Sequence, residues 1–531
     1  MGRRHYRRLS FTAIIEYLLK MNRAEQFRDR ANSTEQLSAV PAIIMMGLAA
    51  LVTFIVLLAT LGAFDNFPYL FLLPWVFGLA VVMAVPLCVL NYQGRFSLAN
   101  PLVFATLSYF FPAFVVGGFL LAGGWSQPGF LPLIQDIQTD LPFTIVLVAL
   151  GFGGLAIGYL LPIGAKLGGF VASRIPSADY SPSSLIIPSV FLMLLGSVFF
   201  ILSFTTGGFG YQTGTVVNSY DGLIYLTSRF SLQATVFLWL IIFQQRRLSP
   251  IYLLIIGLIG TISIGAALFA GNRAGILQIL VPVMLSYILA GRKITFRQTV
   301  IVGILLPIFL VVGMIYGTTF RSVKGTEEQQ NSAQYAENVA EAFNEIGRSD
   351  VSNSVSSGFS SLVERIDILS TLAVVASNYE KLKPYEEAYG IDNNIWVDST
   401  TFFIPRVLWP DKPVASDPRR YSDLYFDFSG SSYAITPIGD LLRNFGVIGV
   451  PVGMAILGLI LRFIYRIFVE GQKPVIWKLS VYFMLISTIS YESFYATIIP
   501  NMIKVGFTAM IGVLLVNLIA KKMEVKTAAE L

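Results

Sequence analysis

Arg273, in the turn Gly271-Asn-Arg-Ala-Gly275, and Arg321, just past a long apolar run, sit where a membrane protein ordinarily carries few positive charges. Arg229, Arg365, Arg406 and Arg443 fall on that same side of the chain's apolar runs. A guanidinium keeps its charge at every accessible pH and binds phosphate through paired N–H donors without a metal. Arginine at the outer end of a span costs desolvation energy, so several of them on one face predict a site for a polyanion. Taken singly, each has a second reading, in which it snorkels to a headgroup or pairs with a loop carboxylate. Arg273 and Arg321 lead the group, because the Gly and small residues beside them let backbone approach a ligand closely.

The side assignment comes from the charge pattern. Basic residues occupy both ends of the chain and every second connection: Arg95, then Lys166 and Arg174, Arg246 and Arg247, Arg292 to Arg297, Arg462 to Lys478, and Lys521 with Lys522. That alternation is the positive-inside pattern of a polytopic membrane protein. Mean hydropathy is +0.69 and only 13% of residues are charged, about half the share in soluble domains, roughly 25%. A span needs roughly 20 apolar residues, and twelve are expected, near 41–63, 67–90, 101–123, 142–164, 184–204, 226–244, 251–270, 275–291, 298–317, 438–461, 475–496 and 501–520. The fold class is therefore an all-α integral membrane protein with both termini cytoplasmic. Small residues within spans, as in Gly151-Phe-Gly-Gly-Leu-Ala-Ile-Gly158, suit close helix packing. No internal repeat is evident, against inverted-repeat transporter folds.

Lone Cys88 lies in an apolar run and lone His5 in the basic N-terminal segment, so neither a disulfide framework nor a His- or Cys-ligated metal is expected. Residues 1–40 are mixed and basic rather than a cleavable signal; Tyr6 to Leu19 reads either as a helix on an anionic leaflet or as a cytoplasmic tail. The division is then a cytoplasmic segment 1–40, spans one to nine over 41–318, an outer loop 319–437, spans ten to twelve over 438–520, and a tail 521–531.

The outer loop differs from every other connection. It holds 10 Lys and Arg against 17 Asp and Glu, leaving 27 basic and 14 acidic residues elsewhere. A loop of that length usually carries structure and function of its own. Helical spacing predicts one helix from Asn331 to Ser349 and a second, amphipathic, from Phe359 to Val375. Tyr379 to Tyr433, rich in Tyr, Asp and Pro, reads as an ordered irregular loop. Its rings, Trp409 and Tyr433 among them, offer flat faces to sugars or anchor the loop at the membrane interface.

Ile404-Pro-Arg-Val-Leu-Trp-Pro-Asp-Lys-Pro413, followed by Thr436-Pro-Ile-Gly-Asp-Leu-Leu-Arg-Asn-Phe-Gly446, resembles the Wzy-type oligosaccharide repeat-unit polymerases of bacterial envelopes. The turn around Arg273 is similar to a second element of that family, and the resemblance covers roughly 260 to 455. It implies a GT-C-like organisation in the cytoplasmic (inner) membrane and a metal-independent glycosyltransferase without a cofactor. The implied donor is a glycan on undecaprenyl diphosphate, handed to the next lipid-linked repeat unit on the outer face. Membrane lipids and a polysaccharide chain-length regulator are the implied partners, and nucleic acid is not one.

That chemistry assigns roles. Cationic donors must stabilise the departing diphosphate: Arg273 and Arg321 first, then Arg406, Lys412 and Arg443, with Arg229, Arg365, Trp409, Tyr433 and Asn444 completing the diphosphate and glycan contacts. The acceptor hydroxyl needs a base, for which Glu364, Asp367, Asp440 and Glu492 are candidates. Glu492 has a plain alternative as the partner of an arginine, and Asp440 as a helix cap. Prolines around Asp411 and Lys412 stiffen the loop. Three other readings stay open: an O-antigen ligase using the same donor, a lipid-linked glycan transporter or flippase, and a scaffold. A transporter predicts charges deep within spans.

Overall fold

The computed structural model describes residues 68–530 apart from 177–179, 206–219, 246–247, 271–274, 293–294, 326–331, 349–350, 429–431 and 472–473. The basic segment 1–40, the expected span 41–63 and Arg273 lie outside the described residues.

Every regular element among the described residues is a helix, and none is a strand. Eight helices are long and apolar enough to cross a membrane: α1 (Leu73–Tyr92, entered by a short 3-10 turn), α2 (Pro101–Ala122), α3 (Ile137–Leu160), α5 (Pro182–Thr205), α6 (Asp221–Gln244), α7 (Pro250–Ala270), α15 (Pro437–Phe468) and α17 (Tyr495–Glu530). Between them lie α4 (Pro162–Ala172), α8 (Gly275–Leu289) and α9 (Phe296–Lys324). The loop domain supplies α10 (Ser332–Arg348), α11 (Val351–Ile366), α12 (Ile368–Glu386), α13 (Asn394–Thr401) and α14 (Pro418–Phe426), and α16 spans Ile476–Ser487.

Small residues fix the tightest crossing. α15 lies across α3, where a Cβ on Gly154 or Gly158 would collide with the Pro451 or Ala455 carbonyl, and one on Gly458 with that of Leu155. Lipid tails offer no hydrophobic gain for helix association, so backbone proximity of this kind supplies the packing energy. α5 lies equally close to α6, Gly196 facing the Ser231 amide, and both pack on α17, where Gln233 donates to the Ala509 carbonyl at 2.7 Å.

Three expectations change. The run 475–496 is not one helix: α16 ends at Ser487 and the chain is irregular until α17 begins at Tyr495. Twelve helical residues rise only about 18 Å, short of a bilayer core of about 30 Å. Ser487 and Thr488 both turn their hydroxyls onto the Met484 carbonyl, at 3.1 and 2.7 Å, a bonding pattern that competes with helix continuation. The second change concerns the amphipathic helix 359–375, which is split at Asp367. That residue leaves helical geometry and its carboxylate caps α12 through the Ser370 amide at 3.0 Å. The stretch from Tyr379 to Tyr433, read as irregular, contains the end of α12 together with α13 and α14.

Candidate functional site

A cavity of about 690 Å³ opens between α2, α5, α6, α7, α8 and α16. Its walls are mostly apolar, with Phe200, Leu232, Phe269 and Phe483 among them. Hydroxyls interrupt the apolar lining: Ser197, Ser228, Thr235, Thr261 and Ser487 each donate to a carbonyl of the preceding turn of their own helix. Their hydrogens are spent, so these groups face the cavity as acceptors.

Arg229 is the cavity's permanent donor. It lies about 12 Å along α6 from Asp221. Its guanidinium bonds the Tyr225 hydroxyl and sits 4.8 Å from that ring's centroid. No carboxylate among the described residues pairs with it, and its Nε is buried without a hydrogen bond. A cation held this way in an apolar wall costs free energy that an anionic ligand would recover.

The break after α16 joins this cavity to an ion pair between Arg365 and Glu492. Ser487 and Ile489 line the cavity, and Glu492, three residues beyond Ile489, pairs with Arg365 at the end of α11. Three residues span at most about 11 Å. Both partners stay accessible, Arg365 46% and Glu492 34% exposed at the side chain, so the pair can meet a ligand. The irregular backbone is satisfied from its neighbours: the Ile435 amide donates to the Glu492 carbonyl at 3.2 Å. Irregular chain at membrane depth is tolerated where it is buried in protein or lines a cavity. Tyr491 stacks on Tyr109 at 5.5 Å, and Tyr109 belongs to an eleven-residue π-helical stretch of α2, Thr106–Val116, a geometry frequent at functional sites. Thr436, one residue past Ile435, holds φ +62°, unusual for a β-branched residue.

Behind that ion pair lies a buried polar network. Arg443 bonds Glu386 at 2.8 Å, Asn394 Oδ1 at 3.1 Å, the Ile391 carbonyl at 3.4 Å and Asp440 at 3.3 Å. Asp440 also accepts from Asn394 at 2.9 Å and from the Ala496 amide at 3.1 Å. It therefore caps the start of α17; its own helix is capped by Thr436. Asn444 donates to Asn394 Oδ1 at 2.8 Å. Glu386 accepts from Tyr425 at 2.9 Å; burial pushes its carboxyl upward and Arg443 opposes that shift. Asp440 and Arg443 are fully enclosed, so in this structure they tie α12, α13 and α17 to α15 and do not face a ligand. Asp367 is enclosed too, accepting from the Ser126 and Ser370 hydroxyls at 2.6 Å each, and burial raises its pKa.

The remaining candidates spread over the loop face. Arg321 is half-buried near the end of α9, and Glu364 is exposed on α11. Tyr433 stacks on Phe426 at 4.4 Å and meets Phe130 at 5.1 Å, inside an aromatic cluster. Trp409 is exposed beside Leu408 and Phe403, the composition of an interfacial anchor. Lys412 donates to the Ile404 carbonyl at 3.2 Å. Burial lowers its pKa, and Lys504 and Arg406 add repulsion.

Sequence reasoning missed Glu386, Asn394, Asp398 and Lys504. Burial raises the pKa of Asp398, opposed by a Ser416 hydrogen bond and by the charges of Lys412 and Lys504. A lysine inside the apolar run 501–520 was a visible signal for Lys504. Nothing in the sequence marked Glu386 or Asn394, whose roles depend on partners about 50 residues away.

A family model described as a domain of unknown function (DUF8712) matches residues 196–470, which cover α6 to α15 and the second part of α5, and hence most of the cavity wall. No curated protein matches the chain, and no solved structure does.

Proposed function

We propose that this chain, which belongs to the DUF8712 family of domains of unknown function, is a membrane glycosyltransferase that polymerises lipid-linked oligosaccharide repeat units. Its donor is a growing glycan on undecaprenyl diphosphate. Its twelve spans, GT-C-like organisation, position in the cytoplasmic membrane with both termini inside, and association with a chain-length regulator belong to the same proposal.

The observation that carries it is Arg229, a cation with no carboxylate partner among the described residues, in the wall of a mostly apolar cavity. A polyprenyl chain fits the apolar walls and its diphosphate fits the guanidinium. In the reaction the bond from the sugar's anomeric carbon to the diphosphate oxygen breaks, and the diphosphate leaves with the electron pair. A bond from the acceptor hydroxyl oxygen to that carbon forms, and the hydroxyl proton passes to Glu492. Arg229, together with Arg321 and with Arg273 of the turn 271–275, offsets the charge on the leaving group. Arg365 orients Glu492, and the network of Arg443, Asp440 and Asn444 holds the elements that carry both.

One feature favours a transporter or flippase instead: Lys504 is half-buried within α17, a charge inside a span. Purified protein given lipid-linked repeat units distinguishes the two. A ladder spaced by one repeat unit is expected. Movement of intact substrate across a vesicle bilayer with no ladder would overturn the polymerase reading.

A further inference from the structure

The opposite end of α15 carries a second charged cluster that the proposed reaction does not use. Arg462 and Arg466, near the end of that helix, converge with Arg95, from the connection between α1 and α2, on the single carboxylate of Glu470. Arg95 Nε lies 3.1 Å from Glu470 Oε1, and Arg462 Nη2 lies 2.6 Å from Oε2. Arg466 Nη1 donates to the Glu470 carbonyl at 3.1 Å and stands 3.7 Å from Oε2. Lys166, on α4, lines the same cavity of about 600 Å³.

Helix packing fixes this arrangement. A Cβ on Gly164 would fall 2.7 Å from the Leu459 carbonyl oxygen, and one on Gly168 2.7 Å from that of Phe463. α4 is thereby pinned along α15, setting Lys166 opposite Arg462 and Arg466. Gly471, at φ +68°, closes the rim, since a Cβ there would press on Arg466 Nη1 at 2.5 Å.

Three of the four cations that line this cavity pair with Glu470 and Lys166 does not, and one carboxylate against four cations leaves three positive charges in excess. Arg462 is 5% exposed, where repulsion is poorly screened. Arg95 bonds Gln93 through Nη1 at 2.9 Å and Glu470 through Nε, while its Nη2 is buried with no hydrogen bond at all. An unsatisfied charged donor in such a setting costs free energy until an acceptor arrives. The positive-inside bias accounts for basic residues at this end of the bundle, but not for enclosing Arg462 and the Arg95 Nη2 beside a single acid.

We propose that Arg95, Lys166, Arg462 and Arg466 form a binding site for a phosphate-bearing anion, either an acidic lipid headgroup or a free polyphosphate. The site is independent of the polymerase reading, and lies at the far end of α15 from Arg443 and Glu492.

The test uses purified full-length protein and the variants Arg95→Gln, Lys166→Gln and, as a distant basic control, Lys521→Gln. Native mass spectrometry after exposure to phosphatidylglycerol or phosphatidylcholine reads the lipid source; a thermal shift with pyrophosphate reads the soluble one. Preferential retention of phosphatidylglycerol, weakened about tenfold in Arg95→Gln and Lys166→Gln but not in Lys521→Gln, is the expected result for a headgroup, each lost charge-assisted contact being worth roughly a factor of ten or more. A pyrophosphate-dependent rise in melting temperature, lost in the same two variants, assigns the free anion. Equal behaviour of wild type and both site variants toward both probes overturns the proposal.

Discussion

Arg443 Nη1 meets Glu386 Oε1 at 2.8 Å with both groups enclosed, so the first turns of α15 are bonded to the end of α12. Breaking a buried pair by removing one partner typically costs about 3–5 kcal/mol. Arg443→Met should therefore destabilise the protein by about that much, read as a lower melting temperature in detergent. Arg443→Met with Glu386→Gln should recover part of the loss, because one of the two stranded carboxylates is gone and Asp440 remains.

Arg229 makes a different prediction, since its guanidinium is held by one tyrosine and not by an acid. Arg229→Gln should leave folding intact and weaken retention of a polyprenyl diphosphate by about 10- to 150-fold, the equivalent of one charge-assisted hydrogen bond at roughly 1.5–3 kcal/mol. Native mass spectrometry with lipid titration would measure it. Unchanged retention would remove the cavity from the donor site.

Glu492 and Arg365 separate structure from chemistry. If Glu492 accepts the proton, Glu492→Gln should lower turnover by about 100-fold or more while substrate retention is kept. The exchange Arg365→Glu with Glu492→Arg should restore the melting temperature without restoring the ladder. Recovery of the ladder by the exchange would reduce Glu492 to an ion-pair partner.

The pH dependence follows from Asp367. Burial raises its folded-state pKa above the ordinary 3.8, so the folded protein binds that proton more tightly than the unfolded chain does. Its contribution to stability thus improves as pH falls through the folded pKa toward 3.8, and the cost of the ionised form is fully present above that window. Asp367→Asn lacks this dependence. The melting-temperature difference between wild type and Asp367→Asn should shift in favour of wild type between pH 7 and pH 4.5, measured in matched detergent buffers.

Gly154 and Gly153 are adjacent on α3 but not equivalent. Gly154→Ala drives a methyl into the Pro451 carbonyl and should cost about 1–3 kcal/mol. Gly153→Ala meets nothing within 4 Å and should be neutral to slightly stabilising in the same melting assay, as Ala is the better helix former.

By itself the sequence determined the class of molecule and the composition of its parts. Apolar runs near span length, an acidic loop between two of them and the glycines of 151–158 are local properties, and α2, α3, α5, α6 and α7 follow from them within about five residues, while α15 and α17 run further than expected. It also raised the expectation that several arginines meet a polyanion, and offered Glu492 a place beside one of them. The tertiary structure decided which of these residues share a site. Glu492 reaches Arg365 across 127 positions, and Asp440 caps α17 instead of its own helix. Arg443 is withdrawn behind Glu386, a residue with no distinguishing neighbours in sequence. The break after Ser487 was invisible because Ile476–Ile498 remains apolar on average, and only the hydroxyl bonds to Met484 and the support from Ile435 interrupt the helix there. Periodicity and charge are written one residue at a time, whereas pairing, burial and a cavity wall depend on where distant segments come together.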